Sequence, residues 1–276
     1  MEETTPRNTP PDVFTAVNNY FLLFFCASCV LSSMYIQQLF ALLEHYRVGI
    51  GVSSLLGIII PVYLLTRRFP AGIRGQLRIA RPRWPRLLLV IAATAGVVVL
   101  VDQIYVITQH FSPVPDDYAE AIRELKPEGP LQFLVILIGL CMLVPLAEEV
   151  VFRGLIQQIF QRNLGALLAV ALSGAVFGAV HLNAHLLISI TVFGWYLGWV
   201  YYATGNLTYT MVSHALFNLA ALAQLTWSDD AVDGGLPIYL QDTRIVVGAL
   251  VIFVFLLFKM KEGGPETEPP YTQPVN

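Results

Sequence analysis

From Val13 to Phe258 the chain is built from apolar segments of roughly membrane length, separated by short charged connections. A bilayer core needs about 20 apolar residues per helical crossing. The segments read as Val13–Leu43, Val48–Thr66, Leu87–Ile107, one starting at Leu131, Leu164–Val180, Leu186–Ala203, Leu207–Thr226 and Ile245–Phe258. None alternates with a two-residue period, so a barrel is excluded and a helical bundle remains. The fold class expected is all-α, a polytopic transmembrane bundle of about eight spans. Composition agrees: 56% of residues are hydrophobic and 13% are charged, half the roughly 25% of a soluble domain. The first apolar run is far longer than the roughly 7–15 residues of a signal-peptide core, so it reads as a retained span.

The connections orient the bundle. Residues 67–86 carry seven arginines and no acid, whereas 108–130 and the loop before the last span are acidic. Basic loops stay in the cytoplasm. An even number of spans then puts both termini there. The expected organisation is a tail over 1–12, three spans over 13–130, a core over 131–226, an acidic loop and last span over 227–258, and a disordered tail over 259–276. The expected location is a bacterial plasma membrane. Membrane lipid is an expected partner, and no basic footprint points to nucleic acid. Cys26, Cys29 and Cys141 lie in apolar runs and read as small packing residues.

Ionisable groups inside a bilayer are costly, so each is a functional candidate. Glu148-Glu149-Val150-Val151-Phe152-Arg153 follows a run, Leu131–Ala147, with one polar member. Glu149 and Arg153 are four apart and can pair on a helix, which points Glu148 elsewhere. Pro145, three residues earlier, can kink the helix or start a new one. The acids could instead mark the end of the span. His181 ends a second apolar run. His185, four residues on, has the spacing of a metal pair, although a loop through Leu182-Asn183-Ala184 would break that helix. His214 and Asn218 are four apart on the seventh span and share a face. Gly174/Gly178 and Gly194/Gly198 are spaced for close helix approach. Asp102, in the third span, has no evident role.

Together these residue types suit amide hydrolysis: a carboxylate to deprotonate water, an imidazole to share the proton, donors for an oxyanion. Ser213 adjoins His214 but cannot face it on a helix, so activated water is favoured over an acyl-enzyme. Two other readings stay open. One is a metal-dependent protease with Glu148, His181 and His214 as ligands. The other is a non-catalytic scaffold or transporter.

The pattern E-E-x-x-x-R at 148–153, F-x-x-x-H at 177–181 and H-x-x-x-N at 214–218, in that order, resembles the CAAX protease and bacteriocin-processing family of intramembrane endopeptidases. The similarity covers about Leu131–Leu222. The resemblance implies that Glu148 and His181 activate water, that His214 and Asn218 stabilise the oxyanion, and that Glu149 and Arg153 support the helix or orient substrate. It implies a peptide or protein substrate, lipidated in some members, and no obligatory cofactor; a divalent metal such as zinc is the alternative.

The span boundaries conflict with this chemistry. If the fourth span runs inward from Leu131, Glu148 lies about 26 Å along it, at 1.5 Å per residue. His181 then ends near the opposite surface. Either the helix breaks at Pro145 or the motif helix continues to about Phe160.

Overall fold

The computed structural model describes residues 12–113, 115–227, 243–262 and 264–267. Among these described residues there are eight long helices: α1 (Asn19–Leu42), α2 (Tyr46–Thr66), α3 (Trp84–Phe111), α4 (Pro130–Leu164), α5 (Ala166–Ala179), α6 (Leu187–Thr204), α7 (Leu207–Trp227) and α8 (Thr243–Glu262). Short helices occupy Val13–Ala16, Gly72–Leu77 and Asp116–Glu124, and there is no strand among the described residues. By length and composition, α1 to α4 can each cross a membrane, and α5 is a shorter apolar helix. The fold is therefore the all-helical bundle expected. The acids Asp229, Asp230, Asp233 and Asp242 lie outside the described residues.

The first apolar run is two elements. Asn18 breaks it, accepting from the Tyr20 N–H at 2.8 Å as the N-cap of α1. Val13 and Phe14, before the break, are buried. The three cysteines are buried and unpaired, as small packing residues would be.

The fourth span departs most from expectation. α4 is 35 residues long and does not break at Pro145. Instead the turn before the proline widens over Gly139–Leu143, with the Val144 N–H reaching back five residues to Gly139 O. A proline ring clashes with the carbonyl four residues earlier, and widening relieves it. The same device precedes Pro61 in α2, over Leu55–Ile59. A third widened turn, Phe152–Gln157, has no proline. The helix thus continues past Phe160, which removes the depth conflict. Glu148 lies 17 residues before Gly165 and His181 lies 16 residues after it. α5 packs back along the second half of α4 from that glycine, so arms of similar length carry both residues toward the same level of the bundle.

Small residues hold the hairpins together. A Cβ on Gly174 would sit 2.7 Å from the Trp195 backbone N, and one on Gly194 would sit 2.9 Å from Gly174 O. α5 and α6 touch backbone to backbone there. Asp102 is paired: Gln224 Nε2 donates to its carboxylate at 3.1 Å, joining α3 to α7.

One end of the bundle gathers the arginine-rich turn and both described chain ends. The Val13 N–H donates to Gln76 Oε1 at 3.0 Å, Arg162 pairs with Asp12 at 3.5 Å, and the Leu207 N–H donates to Arg78 O at 2.9 Å. The tail expected to be disordered from residue 259 is ordered further. α8 runs through Lys259 and Lys261 to Glu262, and residues 264–267 fold onto the arginine turn, where Glu266 is buried against Arg86. Gly and Pro content suggested disorder, but the acid in this segment finds a cationic pocket.

Candidate active site

The site begins with the register of α4. Glu149 and Arg153, one turn apart, are fully buried and joined at 2.9 Å between Oε1 and Nη1. The guanidinium also donates to Gly194 O on α6 at 3.0 Å and stacks on the Phe177 ring, 4.5 Å from its centroid. One cation thus ties α4 to α5 and α6. An unpaired buried charge would cost several kcal/mol, so pair and carbonyl together make the burial tolerable.

His214 comes to the same carboxylate from α7. Its Nδ1 lies 2.9 Å from Glu149 Oε1, and its Nε2 lies 3.7 Å from Glu148 Oε2. The ring stands between two carboxylates of neighbouring residues. It is gripped edge-on by Phe177 and Phe193, at centroid distances of 5.8 and 5.2 Å. Since a carboxylate accepts only, Nδ1 carries a proton and Nε2 is the atom turned to Glu148. Glu148 keeps 22% of its side-chain surface exposed, while Glu149 keeps none. Adjacent acids therefore stand in different surroundings, one open and one sealed.

Asn218 lies one turn above His214 and donates to Leu140 O at 2.8 Å. The proline of α4 explains this bond. In the widened turn the Leu140 carbonyl would take the N–H of residue 145, which is Pro145 and has none. Asn218 supplies the missing donor and retains a second amide N–H. His181 sits just beyond the end of α5, exposed, with Nδ1 on Phe177 O at 2.7 Å. Its ring packs on Phe177 at 5.0 Å, the same ring that His214 and Arg153 touch. No hydrogen bond or ion pair joins His181 to Glu148. Glu148, Glu149, Arg153, His181 and His214 are thus linked through the ring of Phe177 and the imidazole of His214, while Asn218 joins them through α7 and its bond to α4.

Residues 130–220 match the type II CAAX prenyl endopeptidase Rce1-like family.

The matched segment holds every candidate residue from Glu148 to Asn218, and α1 to α3 and α8 lie outside it. No curated protein and no solved structure matches the chain. The Rce1-like match supports a CAAX-protease-type endopeptidase, and with the long apolar helices it makes the chain an integral membrane protein.

A metal was the open alternative. The imidazoles are suited to it: each engages a carbonyl or carboxylate through Nδ1, as metal-bound histidines do, leaving Nε2 for a ligand. Their placement is not. Among the described residues no three His, Cys, Asp or Glu side chains are grouped to hold an ion. His185 does not extend the set. α5 ends at Ala179, so the helical register that would align it with His181 is absent, and its Nδ1 meets Ser112 Oγ at 3.1 Å. Ser213 is committed elsewhere, 2.7 Å from Thr94 Oγ1 and 3.2 Å from the Tyr196 hydroxyl.

Two contributors escaped the sequence reading. Phe193 clamps His214 and stacks on Phe217, yet an aromatic in an apolar helix carries no signal of its own. The Glu149–His214 bond spans 65 residues, and only a three-dimensional fold can join partners so far apart.

Proposed function

We propose that the protein is an intramembrane endopeptidase in which Glu148 activates water to hydrolyse a peptide bond. The observation that carries this reading is the difference between the two adjacent acids. Glu149 is neutralised by Arg153 and fully enclosed, whereas Glu148 is partly open beside an imidazole. Only Glu148 can meet a water molecule and take its proton.

His181 is suited to share that proton. With Nδ1–H donated to Phe177 O, its Nε2 presents a lone pair. Attack on the carbonyl carbon creates an oxyanion, for which Asn218 offers its second amide N–H. His214 offers Nε2–H only as imidazolium, because Nδ1–H is already given to Glu149. Glu148 then passes its proton to the departing amine, the peptide bond breaks, and the site is restored.

The substrate is a peptide or protein reached in the membrane, with a lipid modification as one option. The arginine turn and both described chain ends share one end of the bundle, which supports a cytoplasmic placement of that end; the proposed location is a bacterial plasma membrane. The test is comparative: membranes from cells carrying wild-type protein or Glu148→Gln are searched for peptides by mass spectrometry. The reading expects uncleaved precursors to accumulate only with Glu148→Gln; identical peptide sets would overturn it.

A further inference from the structure

The arginine turn encloses a second built site, one to two helical turns along α7 from His214. Arg78 and Arg86 are buried, and Asn206 and Tyr209 are fully buried. All four aim polar atoms at the segment that follows α8. The Tyr209 hydroxyl donates to Glu266 Oε1 at 2.7 Å, and Asn206 Nδ2 to Oε2 at 3.4 Å. Arg86 and Arg83 stand 3.8 and 3.9 Å from the same carboxylate. Arg78 Nε and Nη2 donate to Thr267 Oγ1 and O, at 3.0 and 2.6 Å. Arg86 Nη1 donates to Gly264 O, and the Glu266 N–H donates to Thr204 O at 2.6 Å.

The backbone is shaped to receive this segment. Gly205, between α6 and α7, has a left-handed φ of 64°. A Cβ there would lie 2.8 Å from Pro265 Cβ and 3.1 Å from Thr267 O. Asn206 also caps α7, accepting from the Thr208 N–H at 3.1 Å. Segment, turn and helix start are one hydrogen-bonded unit.

We propose that this pocket is a carboxylate receptor whose ligand is the chain's own Glu266, so that residues 264–267 form a strap across α3, α8 and the α6–α7 turn. A buried guanidinium needs a counter-charge, and Glu266 is the acid that reaches Arg86. The strap closes the end of the bundle from which α7 carries His214 inward. Released, it uncovers Arg78 and Arg86 beside the already exposed Arg83, a surface receptive to other carboxylates.

The experiment uses full-length protein in vesicles carrying Thr267→Cys, labelled with a membrane-impermeant maleimide; the native cysteines are buried. Glu262→Cys, exposed at the end of α8, provides the reference rate. The strap predicts labelling of Thr267→Cys at least tenfold slower than Glu262→Cys, rising towards that rate when Glu266→Gln is added. Because Thr267→Cys removes one Arg78 contact, release is also read with Arg86→Gln in place of Glu266→Gln, with the same expected rise in rate. Equal rates at all positions, or slow labelling that Glu266→Gln leaves unchanged, would overturn the proposal.

Discussion

His214 and Glu149, 65 positions apart, meet at 2.9 Å between Nδ1 and Oε1, and this contact sets which nitrogen of the imidazole faces Glu148. In the proposed mechanism Glu149 is a positioning residue that acts through His214, while Arg153 balances its charge.

Removing one member of that set leaves a buried charge. Glu149→Gln should destabilise the protein by about 3–5 kcal/mol, the cost typical of breaking a buried pair. Thermal unfolding in detergent measures it. The double variant Glu149→Leu/Arg153→Met should regain much of the stability but none of the cleavage, since His214 loses its orienting acceptor. Recovery of both would show that the carboxylate serves the fold alone.

Asn218 serves two partners, the orphaned Leu140 carbonyl and the proposed oxyanion. Asn218→Ala should lower kcat by about 10²–10³-fold, as loss of an oxyanion donor does, with KM little changed. Steady-state cleavage of a reporter peptide in proteoliposomes separates the two constants. A rise in KM with kcat intact would move Asn218 from the oxyanion to substrate binding.

The α5–α6 contact sets where His181 stands. A Cβ on Gly178 would fall 2.0 Å from Thr191 Oγ1 and 3.1 Å from its Cα. Gly178→Ala should therefore cost about 1–3 kcal/mol by overpacking. Thr191→Ala in the same chain removes the nearer atom and should restore part of it. Unfolding curves of the single and double variants check this, and unchanged stability in the single variant would contradict the close approach.

Much of this site is legible in the residues themselves. Glu148, His181, His214 and Asn218 stand out because polar groups are expensive in apolar helices, and the pairing of Glu149 with Arg153 follows from one helical turn. The helix boundaries were harder to read. Arg153, Gln157 and Gln158 look like the end of a span, yet each finds a buried carbonyl: Gly194 O, Gly198 O and Gln76 O. Pro145 looks like a break, yet a widened turn absorbs it. The strap was read as disorder because composition is blind to a distant pocket of arginines. Tertiary partners decided each of these, and local pattern carries no trace of them.

The central claim is that the carboxylate of Glu148 draws the proton from attacking water. Turnover of a reporter peptide by wild type and Glu148→Gln, reconstituted at equal amounts and with matched unfolding temperatures, tests it most directly. The account predicts a fall of at least about 10²–10⁴-fold, the share a general base supplies. Full turnover by the amide variant would contradict it.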